Sequence, residues 1–162
     1  MNPHHEETLC RAPLRLLDDR EPDDRPVPLR EAVPAFDPQD GGGLPGRHLI
    51  LEMYGATGLD DAKTIEAAFR AAIRTAGATL LHLHLHVFTP TGGVTGTASL
   101  AESHISIHTW PEYGYAALDI FMCGQCDPRS CLPDLLEAFA PERVDVQQVL
   151  RGLGVPARAK RV

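Results

Sequence analysis

Four side chains that can perform chemistry lie within one hairpin-sized segment, residues 101–124: Ser103, His104, His108 and Cys123. The first part of the segment, residues 103–110, alternates between two faces as a β-strand does. Four residues of turn composition follow, and residues 115–123 are apolar and β-prone. We therefore predict a β-hairpin in which paired residue numbers sum to about 225, so that Cys123 lies opposite Glu102.

In that register one face of the hairpin holds Glu102, His104, His108 and Cys123. A hydroxyl, an imidazole and a thiol brought together are suited to nucleophilic or acid–base chemistry. A half-buried, histidine-rich strand without any site is the alternative. Ser103 has the opposite parity to His108, so an ideal strand points the two side chains apart. A bulge or a strand end near Ser103 is needed to bring it to the same face.

The other segments predict the elements that hold this hairpin. Residues 48–54 alternate as a strand, and Asp60 or Asp61 then caps a helix whose apolar stripe ends at Gly77. Residues 78–88 form a second strand, and a glycine-rich turn leads into a third at residues 97–101. A second helix with an apolar leucine stripe and a last strand complete the chain. We predict an α+β fold, a two-layer sandwich with an antiparallel sheet and helices packed on one face.

Histidines and cysteines outside the hairpin raise the alternative of metal binding. The predicted strand at residues 78–88 has leucines 81, 83 and 85 on one face and His82, His84 and His86 on the other. Imidazoles at this spacing can reach a zinc ion, but the outer two are about 13 Å apart along the strand. Cys123 and Cys126 form a CxxC pair, with Cys131 nearby, in no thioredoxin-like context. We predict reduced thiols and favour the absence of a metal, with metal binding kept as an alternative.

Composition limits the class of protein. A net charge of −7 argues against nucleic-acid binding. The sequence contains no run of about 18 apolar residues, so we predict no membrane span. The start of the sequence lacks the apolar region of a secretory signal, so we expect a cytoplasmic protein. Residues 1–45 contain eight of the fourteen prolines and many charges, which predicts a mobile N-terminal extension before one domain at residues 46–155.

With its Glu-Ser bond and its ESHISIHTWPEYGYAALDIF core, the hairpin resembles the processing and active-site signature of the prokaryotic S-adenosylmethionine decarboxylase proenzymes, which are pyruvoyl enzymes. The resemblance covers most of residues 46–152. It implies self-cleavage between Glu102 and Ser103 into a β chain, residues 1–102, and an α chain, residues 103–162. Ser103 would become the pyruvoyl cofactor, which forms a Schiff base with the substrate amine and withdraws electrons as carbon dioxide leaves.

The same resemblance implies roles for other residues. His108 matches the histidine that removes a proton during processing, and Cys123 matches the thiol that returns a proton to the substrate carbon. Phe88 matches an aromatic that stacks on adenine, and Glu112 matches a carboxylate that binds ribose hydroxyls. Thr95 stands where the family often has a serine that aids the acyl shift. Without the resemblance, Phe88 would be interpreted as a core residue and Glu112 as a solvated turn residue.

The resemblance implies decarboxylation of S-adenosyl-L-methionine, a small-molecule substrate, for spermidine biosynthesis. It also implies a homodimer of processed αβ protomers with active sites at the subunit interface. Two alternatives stay open: a pyruvoyl-dependent decarboxylase of ornithine or arginine, and a non-enzymatic module that binds metal through histidines and cysteines.

Overall fold

A six-stranded antiparallel sheet organises the part of the chain that the computed structural model describes, residues 46–152. Its strands are β1 (Gly46–Tyr54), β2 (Leu80–Val87), β3 (Val94–Leu100), β4 (Ser103–Trp110), β5 (Tyr115–Met122) and β6 (Arg143–Arg151). The spatial order is β2-β3-β4-β5-β1-β6. The predicted extension, residues 1–45, and the last three residues of the predicted domain lie outside the described residues.

Two helices, α1 (Ala62–Thr75) and α2 (Leu132–Phe139), pack on one face of this sheet. The strands turn alternate side chains toward them: Leu49, Leu51 and Met53 of β1 are 0% exposed, and the inward residues of β4 and β5 join the same core. Full burial of each large apolar side chain stabilises the fold by about 1.5–3 kcal/mol. The predicted two-layer α+β sandwich is confirmed, and the opposite sheet face is left without a helix among the described residues.

Capping residues set the limits of α1 as the sequence predicts. Asp61 is the N-cap, since its carboxylate accepts hydrogen bonds from the Lys63 amide at 2.9 Å and the Thr64 hydroxyl at 2.7 Å. These bonds hold the pKa of the Asp61 carboxyl below its ordinary value. The helix ends before Gly77, whose φ of 67° suits the residue that follows a helix.

The structure corrects two details at the β2 edge of the sheet. Alternation predicts Leu81 on the same face as Leu83 and Leu85, but an irregularity in the β2–β3 register between Leu80 and His82 leaves Leu81 65% exposed. Leu80 packs against the core instead. The strand predicted at residues 97–101 begins earlier, at Val94, because the last three residues of the glycine-rich segment, 94–96, pair with β2.

A capped turn leads into the second helix. Asp127 caps a short 3-10 turn, Pro128–Cys131, that leads into α2. Burial alone would raise the pKa of the Asp127 carboxyl, but hydrogen bonds from the Arg129 side chain and amide lower it overall. Among residues 46–152, no helix is long and apolar enough to cross a membrane.

Candidate active site

The β4–β5 hairpin has the predicted register. Ser103 pairs with Met122 and Trp110 with Tyr115, so paired numbers sum to 225 throughout. The four-residue loop consists of a 3-10 turn, Pro111–Tyr113, and Gly114, whose φ is 58°. Beyond the last pair, the Cys123 amide donates a hydrogen bond of 3.0 Å to the carbonyl oxygen of Glu102. The carbonyl of the predicted cleavage bond therefore has a fixed donor.

The Glu102–Ser103 bond lies at the end of the turn that joins β3 to β4. Leu100 pairs with Ser103, so the turn contains only Ala101 and Glu102. Ser103 has φ 148°, and Ala140 is the only other non-glycine residue of the described part with positive φ. Such a conformation costs about 1–3 kcal/mol when a side chain is present. The strand end that the parity of Ser103 requires is therefore present, with strain at the bond predicted to break.

Thr79, which precedes β2, anchors this turn. Its amide donates to Oε2 of Glu102 at 2.8 Å, and its hydroxyl donates to Oε1 at 3.2 Å. The Ala101 amide donates in return to the Thr79 carbonyl at 3.0 Å. The hydrogen bond from the Thr79 amide is the main reason that the pKa of the Glu102 carboxyl lies below its ordinary value. The carboxylate is therefore engaged away from the Ser103 hydroxyl.

Two further side chains complete a group at this end of β4. The Ser103 hydroxyl lies 3.3 Å from Nδ1 of His104. The Cys123 thiol is free and half-buried, and the amide of the same residue donates the hydrogen bond to the Glu102 carbonyl. We call Glu102, Ser103, His104 and Cys123 the cleavage cluster.

The other end of β4 forms a second group around His108. Its Nδ1 lies 2.9 Å from the hydroxyl of Thr95 on β3. A cavity of about 200 Å³ opens beside it, lined by Phe88, Thr91, Gly93, Val94, His108, Thr109, Trp110 and Glu112. Phe88 is 49% exposed, so its interpretation as a core residue is wrong. The two predicted substrate-binding residues, Phe88 and Glu112, thus share one cavity with His108, which we call the substrate cavity.

The cleavage cluster and the substrate cavity are separate within one chain. Ser103 and His108 are five residue steps apart in the extended strand, which is about 17 Å along β4. No hydrogen bond or shared residue links the two groups among the contacts of residues 46–152. His108 is therefore not placed to take a proton from Ser103 of its own chain.

The histidines of β2 and the buried thiol of Cys131 form no comparable group. His82, His84 and His86 are exposed along β2. Cys131 is buried beside the Ala72 carbonyl, and burial raises its pKa to about 12, so its thiol stays protonated. Within residues 46–152, no three histidine, cysteine or acidic side chains are arranged to hold a metal ion.

Comparison with known proteins identifies the family. A family model described as S-adenosylmethionine decarboxylase matches residues 47–152. The S-adenosylmethionine decarboxylase proenzyme of Thermomicrobium roseum is 47% identical over 109 residues, which are 67% of this chain and 94% of that protein. That of Methanococcus maripaludis is 47% identical over 111 residues, 67% of this chain and 90% of that protein. The chain belongs to the S-adenosylmethionine decarboxylase family. The resemblance drawn from the hairpin is confirmed.

A solved structure agrees with this family assignment. The crystal structure of the adenosylmethionine decarboxylase from Aquifex aeolicus superposes with a TM-score of 0.63 at 31% identity. The match covers 74% of this chain and all of the other. The α+β sandwich is therefore a fold found in this enzyme family.

Two features of the site were absent from the sequence predictions. Thr79 lies 23 residues before Glu102, and no local pattern connects them. The contact between Ser103 and His104 is also unexpected, because neighbours in a strand normally point to opposite faces. An ESH triplet directly after a short turn is the signal that was available for it.

Proposed function

We propose that the protein is a self-processing, pyruvoyl-dependent S-adenosylmethionine decarboxylase that cleaves itself between Glu102 and Ser103. One observation supports it above all: the Glu102 carbonyl accepts a hydrogen bond from the Cys123 amide next to a strained serine that carries the nucleophile. The product, decarboxylated S-adenosylmethionine, is the aminopropyl donor for spermidine biosynthesis. A cytoplasmic location stays a prediction.

Processing begins with attack of the Ser103 hydroxyl on the Glu102 carbonyl carbon, which turns the amide into an ester. Negative charge then develops on the carbonyl oxygen, where the Cys123 amide at 3.0 Å stabilises it. Rupture of the peptide bond also releases the strain at φ 148°. Elimination and hydrolysis complete the cleavage into β chain 1–102 and α chain 103–162, with His108 as proton acceptor.

The residues present fit the pyruvoyl group that this reaction would leave at position 103. The group would remain attached to His104 at the start of β4, where position 103 pairs with Met122, the neighbour of Cys123. Its carbonyl would supply the electron-withdrawing function needed for decarboxylation. Cys123 would return a proton to the substrate carbon, because its amide bonds the Glu102 carbonyl and its thiol is free and half-buried.

The substrate cavity provides the recognition groups. Phe88 offers a flat apolar surface for adenine, and Glu112 offers carboxylate oxygens for the ribose hydroxyls. About 200 Å³ is smaller than the roughly 300–1,000 Å³ of a typical ligand pocket. The cavity therefore fits one part of the substrate and needs a further wall.

A second copy of the chain supplies that wall in our proposal. The cavity and the cleavage cluster lie at opposite ends of β4, so a twofold axis through the helix-free sheet face brings one copy's cavity to the other's cleavage cluster. His108 and Thr95 of one protomer would then serve Ser103 of the other. This arrangement places both active sites at the interface of a homodimer.

Intact-mass analysis of the purified protein tests the processing. We expect two chains, residues 1–102 and 103–162, the second blocked by a pyruvoyl group. A single uncleaved chain under active conditions contradicts the proposal, and it is the outcome expected of a non-enzymatic metal-binding module.

Carbon dioxide release from S-adenosylmethionine, ornithine and arginine then tests the substrate. We expect release from S-adenosylmethionine alone. Release from ornithine or arginine alone would assign a cleaved protein to the other class of pyruvoyl-dependent decarboxylase.

A further inference from the structure

The hydroxyl that must lose a proton in the first processing step already has a base beside it. Ser103 Oγ lies 3.3 Å from Nδ1 of His104, within hydrogen-bonding distance, whereas His108 of the same chain is about 17 Å along the strand. We propose that His104 is the catalytic base and acid of the amide-to-ester step. The inference rests on the proposed processing and assigns its first proton transfer.

The strained backbone explains how adjacent residues in one strand meet. An ordinary β conformation would send the Ser103 and His104 side chains to opposite faces of the sheet. The φ of 148° at the first residue of β4 rotates Ser103 out of that alternation. The same strain that weakens the peptide bond therefore also brings the hydroxyl to the imidazole.

Packing holds the His104 ring in this position. The ring contacts Phe121 at 5.9 Å and His48 at 6.3 Å between centroids, both edge-on. His48 is itself fixed by a 3.0 Å contact between its Nε2 and Oδ1 of Asp119. These contacts keep Nδ1 of His104 directed at Ser103. The reaction therefore has a lower entropic cost than one that must first orient a mobile base.

The proton transfers balance with one imidazole. As Ser103 Oγ bonds to the Glu102 carbonyl carbon, its proton passes to Nδ1 of His104. The resulting tetrahedral centre has its oxyanion at the Cys123 amide. The carbon–nitrogen bond then breaks, and His104 returns the proton to the nitrogen of Ser103. The products are an ester and a free amine, and His104 is neutral again.

Other ionisable groups on this sheet face bear on the pH dependence. By register, those around His104 are Glu102, His48, His82, Asp119, Cys123 and Arg151. Glu102 and Asp119 are already bound by Thr79 and His48 respectively. The proton transfer requires a neutral His104 imidazole, so acidic conditions should slow ester formation.

The test follows the freshly made full-length chain by intact mass, with and without hydroxylamine, which cleaves esters and leaves amides intact. In His104→Ala and His104→Asn we expect cleavage about 100-fold slower, the usual contribution of a proton-transfer group. The uncleaved chain should resist hydroxylamine, and added imidazole should accelerate His104→Ala. His108→Ala should instead accumulate an ester that hydroxylamine cleaves. His84→Ala, which replaces an exposed histidine on the same face, serves as the matched control at the wild-type rate.

Each outcome separates this role from the proposed function. Cleavage of both His104 variants at the wild-type rate overturns the role of His104 alone, as does an ester that accumulates in them. Asn can accept the same hydrogen bond but cannot act as a base. If the His104→Asn chain cleaves at the wild-type rate while His104→Ala is slow, His104 only positions the Ser103 hydroxyl, and its proposed role in proton transfer is overturned. A wild-type chain that never cleaves refutes the proposed function and this role together.

Discussion

Ser103 combines a nucleophilic hydroxyl with a backbone angle, φ 148°, that residues with side chains rarely adopt. The residue types of the cleavage cluster are all predictable from the sequence, and so is the pairing of Cys123 with Glu102. The angle is not predictable from alternation, because it arises where a two-residue turn must join two paired strands. The contact between Ser103 and His104 depends on that angle and was missed with it.

Substitution at Ser103 separates the nucleophile from the strain. Ser103→Ala and Ser103→Gly both lack the hydroxyl, so we expect neither chain to cleave, as measured by intact mass. Glycine tolerates positive φ, and Ser103→Gly should therefore unfold with a free energy about 1–3 kcal/mol higher than Ser103→Ala in denaturant. Cleavage in either variant contradicts the assignment of Ser103, and equal stabilities contradict the strain.

Cys123 contributes its amide to cleavage and its thiol to turnover in our proposal. Cys123→Ala keeps the amide that bonds the Glu102 carbonyl, so the chain should still cleave. Carbon dioxide release should fall about 100-fold, because the proton donor is gone. Cys126→Ala is the control, since this nearby thiol contacts the Gly77 carbonyl at 3.8 Å and lies outside the cleavage cluster. A cleaved Cys123→Ala enzyme with full turnover would refute the role of the thiol.

Among the elements, those with a local signal were predicted best. Asp61 capping α1 and the four-residue hairpin loop follow from side chains within a few positions of one another. Leu81 was placed wrongly because a register irregularity leaves no mark in a run of alternating leucine and histidine. The Thr79 anchor joins residues 23 apart and becomes visible only once β2 pairs with β3.

Gly96 is a point at which β2 and β3 approach closely. A Cβ at this position would lie 2.1 Å from Cδ2 of Leu85 and 2.9 Å from the His84 carbonyl oxygen. Gly96→Ala should therefore lower the free energy of unfolding by about 1–3 kcal/mol. Denaturant unfolding of the uncleaved Ser103→Ala chain measures this without the complication of two chains.

Thr97→Ala gives the matched comparison for that measurement. Thr97 is the adjacent, exposed residue of the same strand, so its substitution should change the free energy of unfolding by only about 0.5 kcal/mol. Equal losses in the two variants would show that strand propensity, and not the close approach of Leu85, determines the effect.

At the scale of the whole molecule, the helix-free sheet face has an unusual composition. By register, it holds every histidine of residues 46–152 and an aromatic group in which Trp110 and Tyr54 both pack against Tyr115. A sequence pattern indicates which residues share this face, but it does not reveal that the candidate catalytic groups divide between the two ends of β4. That division follows from the length of the strand, and it is the reason to expect a second copy.

Mixed dimers test whether His108 acts across the interface. Co-expression of Ser103→Ala with His108→Ala chains should restore one complete site in each mixed dimer, formed by Ser103 of the His108→Ala chain and His108 of its partner. Random pairing would then cleave about half of the His108→Ala chains, whereas either variant alone stays intact. Intact mass distinguishes the chains, and native mass confirms that mixed dimers form. Mixed dimers without cleavage would show that His108 of one protomer does not serve Ser103 of the other. The separation of Ser103 and His108 along β4 would then no longer support an active site shared between two copies.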